Sequence, residues 1–290
     1  MRIEGGTICR SLFLLAMLGS SAIAQSKATC EKGQNPERIL ACSELLKQRP
    51  SSDKQGRIYR NRGQAYSWSR QYELAVKDYD AALDIDPNDP QVLWERGLAL
   101  ESLEQHRRAV ADADRLISMG EARRFSAYQL RCRALAALRS FDEAIRSCSE
   151  QLRLSPLGIF YVDRGEVYLL TGQYGRAIED FDAALKGDKN MAWAKLGRGK
   201  AMFAKQDYAA ALEEFDQAND MMKAASGEAW PIALSKRGLA NEALGRRSEA
   251  VADFQKALKG YPELDESKEG LRRLGASPPP FNERPWWRFW

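Results

Sequence analysis

Between Gly56 and Pro87 the apolar and small residues fall at fixed offsets among charged and polar ones. Counting Gly56 as position 1, Tyr59 falls at 4, Gly63 at 8, Tyr66 at 11, Tyr72 at 17, Ala75 at 20, Tyr79 at 24, Ala82 at 27 and Pro87 at 32. These offsets fit one helix–turn–helix repeat. Gly and Ala let two antiparallel helices (A, then B) approach closely, and the rings fill the gap between them. The proline stops helix B, because it lacks a backbone N–H and clashes with the preceding turn. One such pair cannot bury its own apolar faces, so the pattern predicts stacked copies.

The copies are present. Position 8 reads Gly63, Gly97, Cys132, Gly165, Gly199 and Gly238; position 20 reads Ala75, Ala109, Ala144, Ala177, Ala211 and Ala250. Position 24 reads Tyr79, Ala113, Cys148, Phe181, Phe215 and Phe254, and prolines close three repeats at Pro87, Pro156 and Pro262. On these residues, over roughly 56–264, the chain resembles the tetratricopeptide repeat family, in the manner of its exported bacterial members. The second repeat departs furthest, with Leu100 and Ala113 where rings are usual. The resemblance implies an all-α fold: a right-handed superhelical solenoid of six repeats with N- and C-terminal capping helices. The expected order is a signal peptide at 1–24, a capping segment at 25–55, repeats at 56–89, 90–124, 125–157, 158–191, 192–230 and 231–264, a capping helix at 265–276 and a Pro/Trp-rich tail at 277–290. A solenoid is quasi-one-dimensional, so length does not set its domain count.

A net charge of +4 is too small to argue for nucleic acid. Arg2 and Arg10, the apolar run Leu12–Leu18 and the small residues ending Ala22-Ile23-Ala24 read as a cleaved secretory signal. The run is shorter than the ~20 residues a membrane span needs. Export would place the chain in the periplasm or outside the cell, leaving Cys30, Cys42, Cys132 and Cys148 in an oxidising compartment. Four cysteines allow three pairings. The repeat register sets Cys132 and Cys148 facing one another across one helix pair, and Cys30–Cys42 would then tie an extended segment to a helix at Glu37–Lys47. Buried free thiols are the other reading. His106, the single histidine, completes no Cys/His zinc site, and no metal or cofactor is expected.

Position 7 is Arg throughout, at Arg62, Arg96, Arg131, Arg164, Arg198 and Arg237. Position 23 reads Asp78, Asp112, Ser147, Asp180, Glu214 and Asp253. Alternating signs at two fixed positions predict a ladder of ion pairs rather than a basic stripe for phosphate. Ser147 takes that partner from Arg131.

In the family the concave face is lined by helix A positions 2, 5, 6, 9, 12 and 13. The resemblance therefore implies contact residues Arg57, Arg60, Asn61, Gln64, Ser67 and Trp68 in the first repeat, and Gln91, Trp94, Glu95, Leu98 and Glu101 in the second. The third supplies Ser126, Gln129 and Arg133, and the fourth Ile159, Val162, Asp163 and Glu166. The fifth supplies Trp193, Leu196, Lys200 and Phe203, and the sixth Ile232, Ser235, Lys236 and Glu242. Rings flanked by both charges suit an extended peptide or a partner helix; packing between neighbouring repeats is the other use for the Trp side chains. Chaperone-binding members clamp a terminal carboxylate with Lys and Asn. Arg60 and Gln64 approximate the first part of that clamp, but Glu95 would repel the carboxylate and Ser126 and Leu130 do not complete it.

Asp220–Pro231 adds five residues between the last two repeats, expected as a longer helix B or a loop. After Ser277 a run of prolines leads into Trp286, Trp287, Phe289 and Trp290, with Arg284 and Arg288 among them. That cluster reads as a contact for a membrane surface or a partner pocket, or as a segment docked on its own solenoid. Catalytic chemistry has little to stand on: no G-x-S-x-G occurs, and around Gly199-Lys200 the chain has Ala194 and Ala201 where a phosphate loop needs Gly and Ser or Thr. The expectation is a non-enzymatic scaffold in the cell envelope with a protein or peptide partner, and no nucleic acid. A peripheral membrane protein held by its tail, or a non-catalytic subunit of an envelope enzyme complex, are the other readings.

Overall fold

The computed structural model describes residues 25–120 and 124–279, and no strand occurs among them. Helical turns over residues 25–32 precede α1 (Glu37–Lys47). Helix pairs follow: α2 (Ser52–Trp68) with α3 (Tyr72–Ile85), and α4 (Pro90–Ser102) with α5 (His106–Ser118). Next come α6 (Arg124–Ala137) and α7 (Phe141–Leu154), then α8 (Gly158–Leu170) with α9 (Tyr174–Gly187). The last are α10 (Ala192–Ala204) with α11 (Tyr208–Ser226), α12 (Pro231–Ala243) with α13 (Arg247–Gly260), and α14 (Asp265–Arg273). The chain forms two compact units, divided between Leu138 and Arg139. In each, consecutive helices pack on one another, and A helices of neighbouring pairs also touch.

The turns inside five of the pairs have a common physical cause. Arg70 N donates to Ser67 O (3.0 Å) and Gln71 N to Tyr66 O (2.9 Å), with Arg70 at φ 58°. This paired closure, with a left-handed residue after the helix, satisfies carbonyls that the ending helix leaves open. The outer bond of the pair recurs as Gln105 N to Leu100 O, Gln173 N to Tyr168 O, Asp207 N to Met202 O and Arg246 N to Asn241 O. Gly172 (φ 73°) and Gly245 (φ 74°) adopt the left-handed conformation without a Cβ clash, whereas Glu104 and Gln206 adopt it as ordinary L-residues.

Close approach explains position 8. A Cβ on Gly63 would lie 2.7 Å from the Tyr79 ring, on Gly165 2.9 Å from Phe181, and on Gly238 2.7 Å from Phe254. The ring at position 24 occupies the room where a side chain would stand. Ala113 supplies no ring in the second pair, and Gly97 there faces Leu130 of α6 instead. A side chain from the next helix thus fills the gap, and both Leu130 and Ala113 are fully buried.

The five extra residues before Pro231 lengthen helix B rather than forming a loop. α11 runs to Ser226, ends at left-handed Gly227, and leads back to Trp230, whose N–H donates to Asn219 Oδ1 (3.0 Å). Trp230 is buried, so the insertion serves packing.

Cys30 and Cys42 form a disulfide, with Leu45, Ala41 and Ile58 around it. One expectation is corrected: Cys30 sits in helical turns, not in an extended segment. Cys132 and Cys148 are fully buried and disulfide-bonded as well, so neither is a free thiol. The proposed signal at 1–24 and the rings Trp286, Trp287, Phe289 and Trp290 lie outside the described residues.

Candidate functional site: the A-helix faces

An ion-pair ladder fixes the A helices. Arg62 Nε and Nη2 each meet one Asp78 oxygen at 2.7 Å, and Arg164 grips Asp180 at 2.8 and 2.7 Å. Arg96 holds Asp112 and Arg237 holds Asp253 in the same two-point fork, and Arg198 reaches Glu214 at 2.6 Å. Such charge-assisted forks fix angle as well as distance. The bonds to Asp78, Asp180 and Asp253 push the Arg62, Arg164 and Arg237 guanidinium groups up. For Arg96 and Arg198 burial pulls down, yet the acids outweigh it and the net direction is also up.

The ladder has a second rung absent from the sequence reading. Arg96 Nη1 also reaches Asp80 (2.6 Å), and Arg198 and Arg237 likewise reach Asp182 and Asp216. These acids stand at position 25 of the preceding repeat. Arg131, whose repeat carries Ser147 in place of a position-23 acid, pairs with Asp114 at 2.6 Å by this route. Where position 25 is Ser, the hydroxyl accepts instead: Arg164 Nη1 to Ser149 Oγ is 3.1 Å. An acid–x–acid signature around position 24 (Asp78/Asp80, Asp112/Asp114, Asp180/Asp182, Glu214/Asp216) was the available signal.

In the N-terminal unit the A-helix face is polar and largely satisfied by its own groups. Arg38 of α1 donates Nη2 to Gln64 Oε1 (2.8 Å) and Nε to Cys30 O (3.1 Å). Gln64 Nε2 donates in turn to Glu95 Oε1, which also accepts from Gln91 Nε2 at 2.9 Å. Burial raises the Glu95 carboxyl and lowers the Arg38 guanidinium, because both charges leave water without a direct ion pair to each other. Burial also lifts the Tyr79 phenol. Arg60 pairs with Asp89 at 3.4 Å, and Asp89 meanwhile caps α4, accepting from Gln91 N and Val92 N. Arg57 is exposed and pairs with Asp53; Arg133 pairs with Glu101 at 3.4 Å. Gln129 is half-buried on α6.

The two Trp residues here have different fates. Trp94 packs half-buried against the core. Trp68 is 67% exposed, with the Arg38 guanidinium carbon 5.0 Å from its ring centroid. Arg38, on the capping helix, was not among the expected contact residues.

In the C-terminal unit position 2 is apolar. Ile159 is 42% and Trp193 50% exposed, and Ile232 is half-buried. Trp193 stands edge-on to Trp230, centroids 4.5 Å apart at 78°. On the helices that carry Ile159 and Trp193, Lys200 Nζ meets Glu166 at 2.7 Å, linking neighbouring A helices. Lys236 pairs with Glu266 of α14, which also accepts from Ser235 Oγ at 2.8 Å. Asp163 is half-buried on α8. Phe203 turns to its own pair, 5.1 Å from Tyr208. No group of three or more His, Cys, Asp or Glu that could hold a metal occurs among the described residues. No described helix is long and apolar enough to cross a membrane.

Models of the tetratricopeptide repeat match residues 56–89, 162–227 and 233–263. Human Tetratricopeptide repeat protein 13 is 27% identical over 152 residues, covering 51% of this chain and 18% of that protein. Protein STIP1 homolog of Dictyostelium discoideum is 29% identical over 136 residues, covering 47% and 22%. The chain thus spans less than a quarter of the length of either relative. Among solved structures, a tetratricopeptide repeat protein from Parabacteroides merdae superposes with TM-score 0.73 at 16% identity, over 88% of this chain and 98% of that one. PilW, a type IV pilus biogenesis factor, gives 0.64 at 15% identity, over 74% and 98%. At these identities the likeness shows the fold.

Proposed function

We propose that this chain, which belongs to the tetratricopeptide repeat proteins, is a protein-interaction scaffold of the cell envelope that holds a partner's peptide or helix against its A helices. The family generally mediates protein–protein contacts, and the fold supplies a rigid frame for them. The observation that carries the choice of surface is Trp193. Its ring is half exposed and backed by buried Trp230, Ile159 is exposed at the same repeat position of α8, and the Lys200–Glu166 pair links the same two A helices. A supported ring gives contact area at little entropic cost, and neighbouring charges set register. Residues 1–24 and the oxidised cysteines support the envelope location.

The test captures partners from envelope extract with the chain and with its Trp193→Ala variant, both checked for helicity. Loss of a specific partner, with Trp68→Ala retaining it, is the expected result. A partner set unchanged by Trp193→Ala overturns this placement.

A further inference from the structure

The helical turns at 25–32, α1 and the start of α2 enclose a cleft of about 330 Å³ in the N-terminal unit. Cys30, Leu45, Pro50 and Ile58 give it an apolar lining. Lys27, Lys54 and Arg57 line it too, with Glu31 as its one acid. Arg57 is engaged with Asp53 at 2.8 Å. Lys27 and Lys54 have no ion pair among the described residues. The wall carrying Lys27 and Glu31 is not loose: the Cys30–Cys42 disulfide fastens it to α1, and Arg38 Nε, one turn earlier on the same helix, donates to the Cys30 carbonyl.

A volume at the lower end of the ~300–1,000 Å³ typical of ligand sites suits a small molecule rather than a folded partner. An apolar lining with an excess of cations selects a ligand with an apolar body and an anionic head. We propose that this cleft binds a small anionic amphiphile, a medium-chain carboxylate in chemical class, with its chain against Leu45 and Ile58 and its head between Lys27 and Lys54. This site is separate from the Trp193 surface, and its failure would leave that reading intact.

The test is calorimetric titration of the full chain with octanoate and, in parallel, with octanol, which keeps the apolar body and removes the charge. Octanoate is expected to bind more tightly, and to weaken as salt screens the exposed lysines. Lys27→Glu/Lys54→Glu should raise the octanoate Kd by about tenfold or more while leaving helicity unchanged, since both side chains are exposed. Ile58→Glu, which places a charge on the apolar lining, should weaken octanoate and octanol alike. No octanoate binding, equal affinity for octanol, or an unchanged Kd in the double lysine variant each overturns the proposal.

Discussion

The two compact units share one framework and differ in what they show on it. Both carry the Arg-to-acid ladder at positions 7, 23 and 25 and the ring seated on a position-8 glycine. At position 2 the N-terminal unit sets Arg57, Gln91 and Ser126, where the C-terminal unit sets Ile159, Trp193 and Ile232. On the first face Arg38, Gln64, Glu95 and Gln91 are tied to one another by hydrogen bonds, and Trp68 and Leu98 are its exposed apolar groups. The second leaves apolar surface open at Ile159 and Trp193, with the Lys200–Glu166 pair on the same helices and the Lys236–Glu266 pair between α12 and α14. The repeated interactions therefore hold the helices, and the unrepeated ones distinguish the surfaces.

The strongest way to break that comparison is to attack the shared ladder. The Asp112 side chain is 4% exposed and Asp80 41%, although Arg96 holds both. Asp112→Ala leaves a mostly buried guanidinium short of its main partner and should cost about 3 kcal/mol in denaturant unfolding. Asp80→Ala should cost under ~1 kcal/mol, as exposed pairs do. In the C-terminal unit Glu214→Ala and Asp182→Ala should rank the same way around Arg198. A reversed order in either unit would mean that the frameworks are not equivalent.

A smaller effect separates crowded from open glycines. Gly165→Ala puts a methyl 2.9 Å from the Phe181 ring and should lose about 1–3 kcal/mol through overpacking. Gly175→Ala on α9 meets nothing within 4 Å and should gain about 0.5–1 kcal/mol from helix propensity. Melting temperatures of the two variants should move in opposite directions.

The smallest effect belongs to the polar face alone. Glu95 has its carboxyl raised above the ordinary 4.5 by burial, with the bonds from Gln91 and Gln64 opposing. The folded state then holds this proton more tightly than the unfolded state. Its contribution to stability is fullest below about 4.5 and falls as pH rises through the raised value. Glu95→Gln removes that dependence, so the variant should gain on the parent between pH 4.5 and 7.5. Parallel stability profiles across that window would remove Glu95 from the account.

Local pattern made the helices legible. Position 8 glycines, position 20 alanines and position 24 rings are contacts within one helix pair, where sequence offset fixes distance. The Arg62–Asp78 rung was readable for the same reason. So was the Asp80 rung in principle, since the acid–x–acid signature repeats, but its partner lies in the next pair. The helical state of residues 25–32 was not legible, because that stretch carries no repeat register.

By itself the sequence determined the helix pairs, their turns and the alternation of Arg with acid, because these follow from spacing along one or two adjacent helices. Only the tertiary structure decided which tryptophans face solvent. Trp94 and Trp230 are packed while Trp68 and Trp193 stay open, though Trp68, Trp94 and Trp193 all stand on A helices and Trp230 caps one. The stacking of neighbouring helices sets that outcome, and burial depends on what arrives from elsewhere in the chain. The cleft beside Cys30 has the same origin: three short segments meet there, and none encodes a cavity alone.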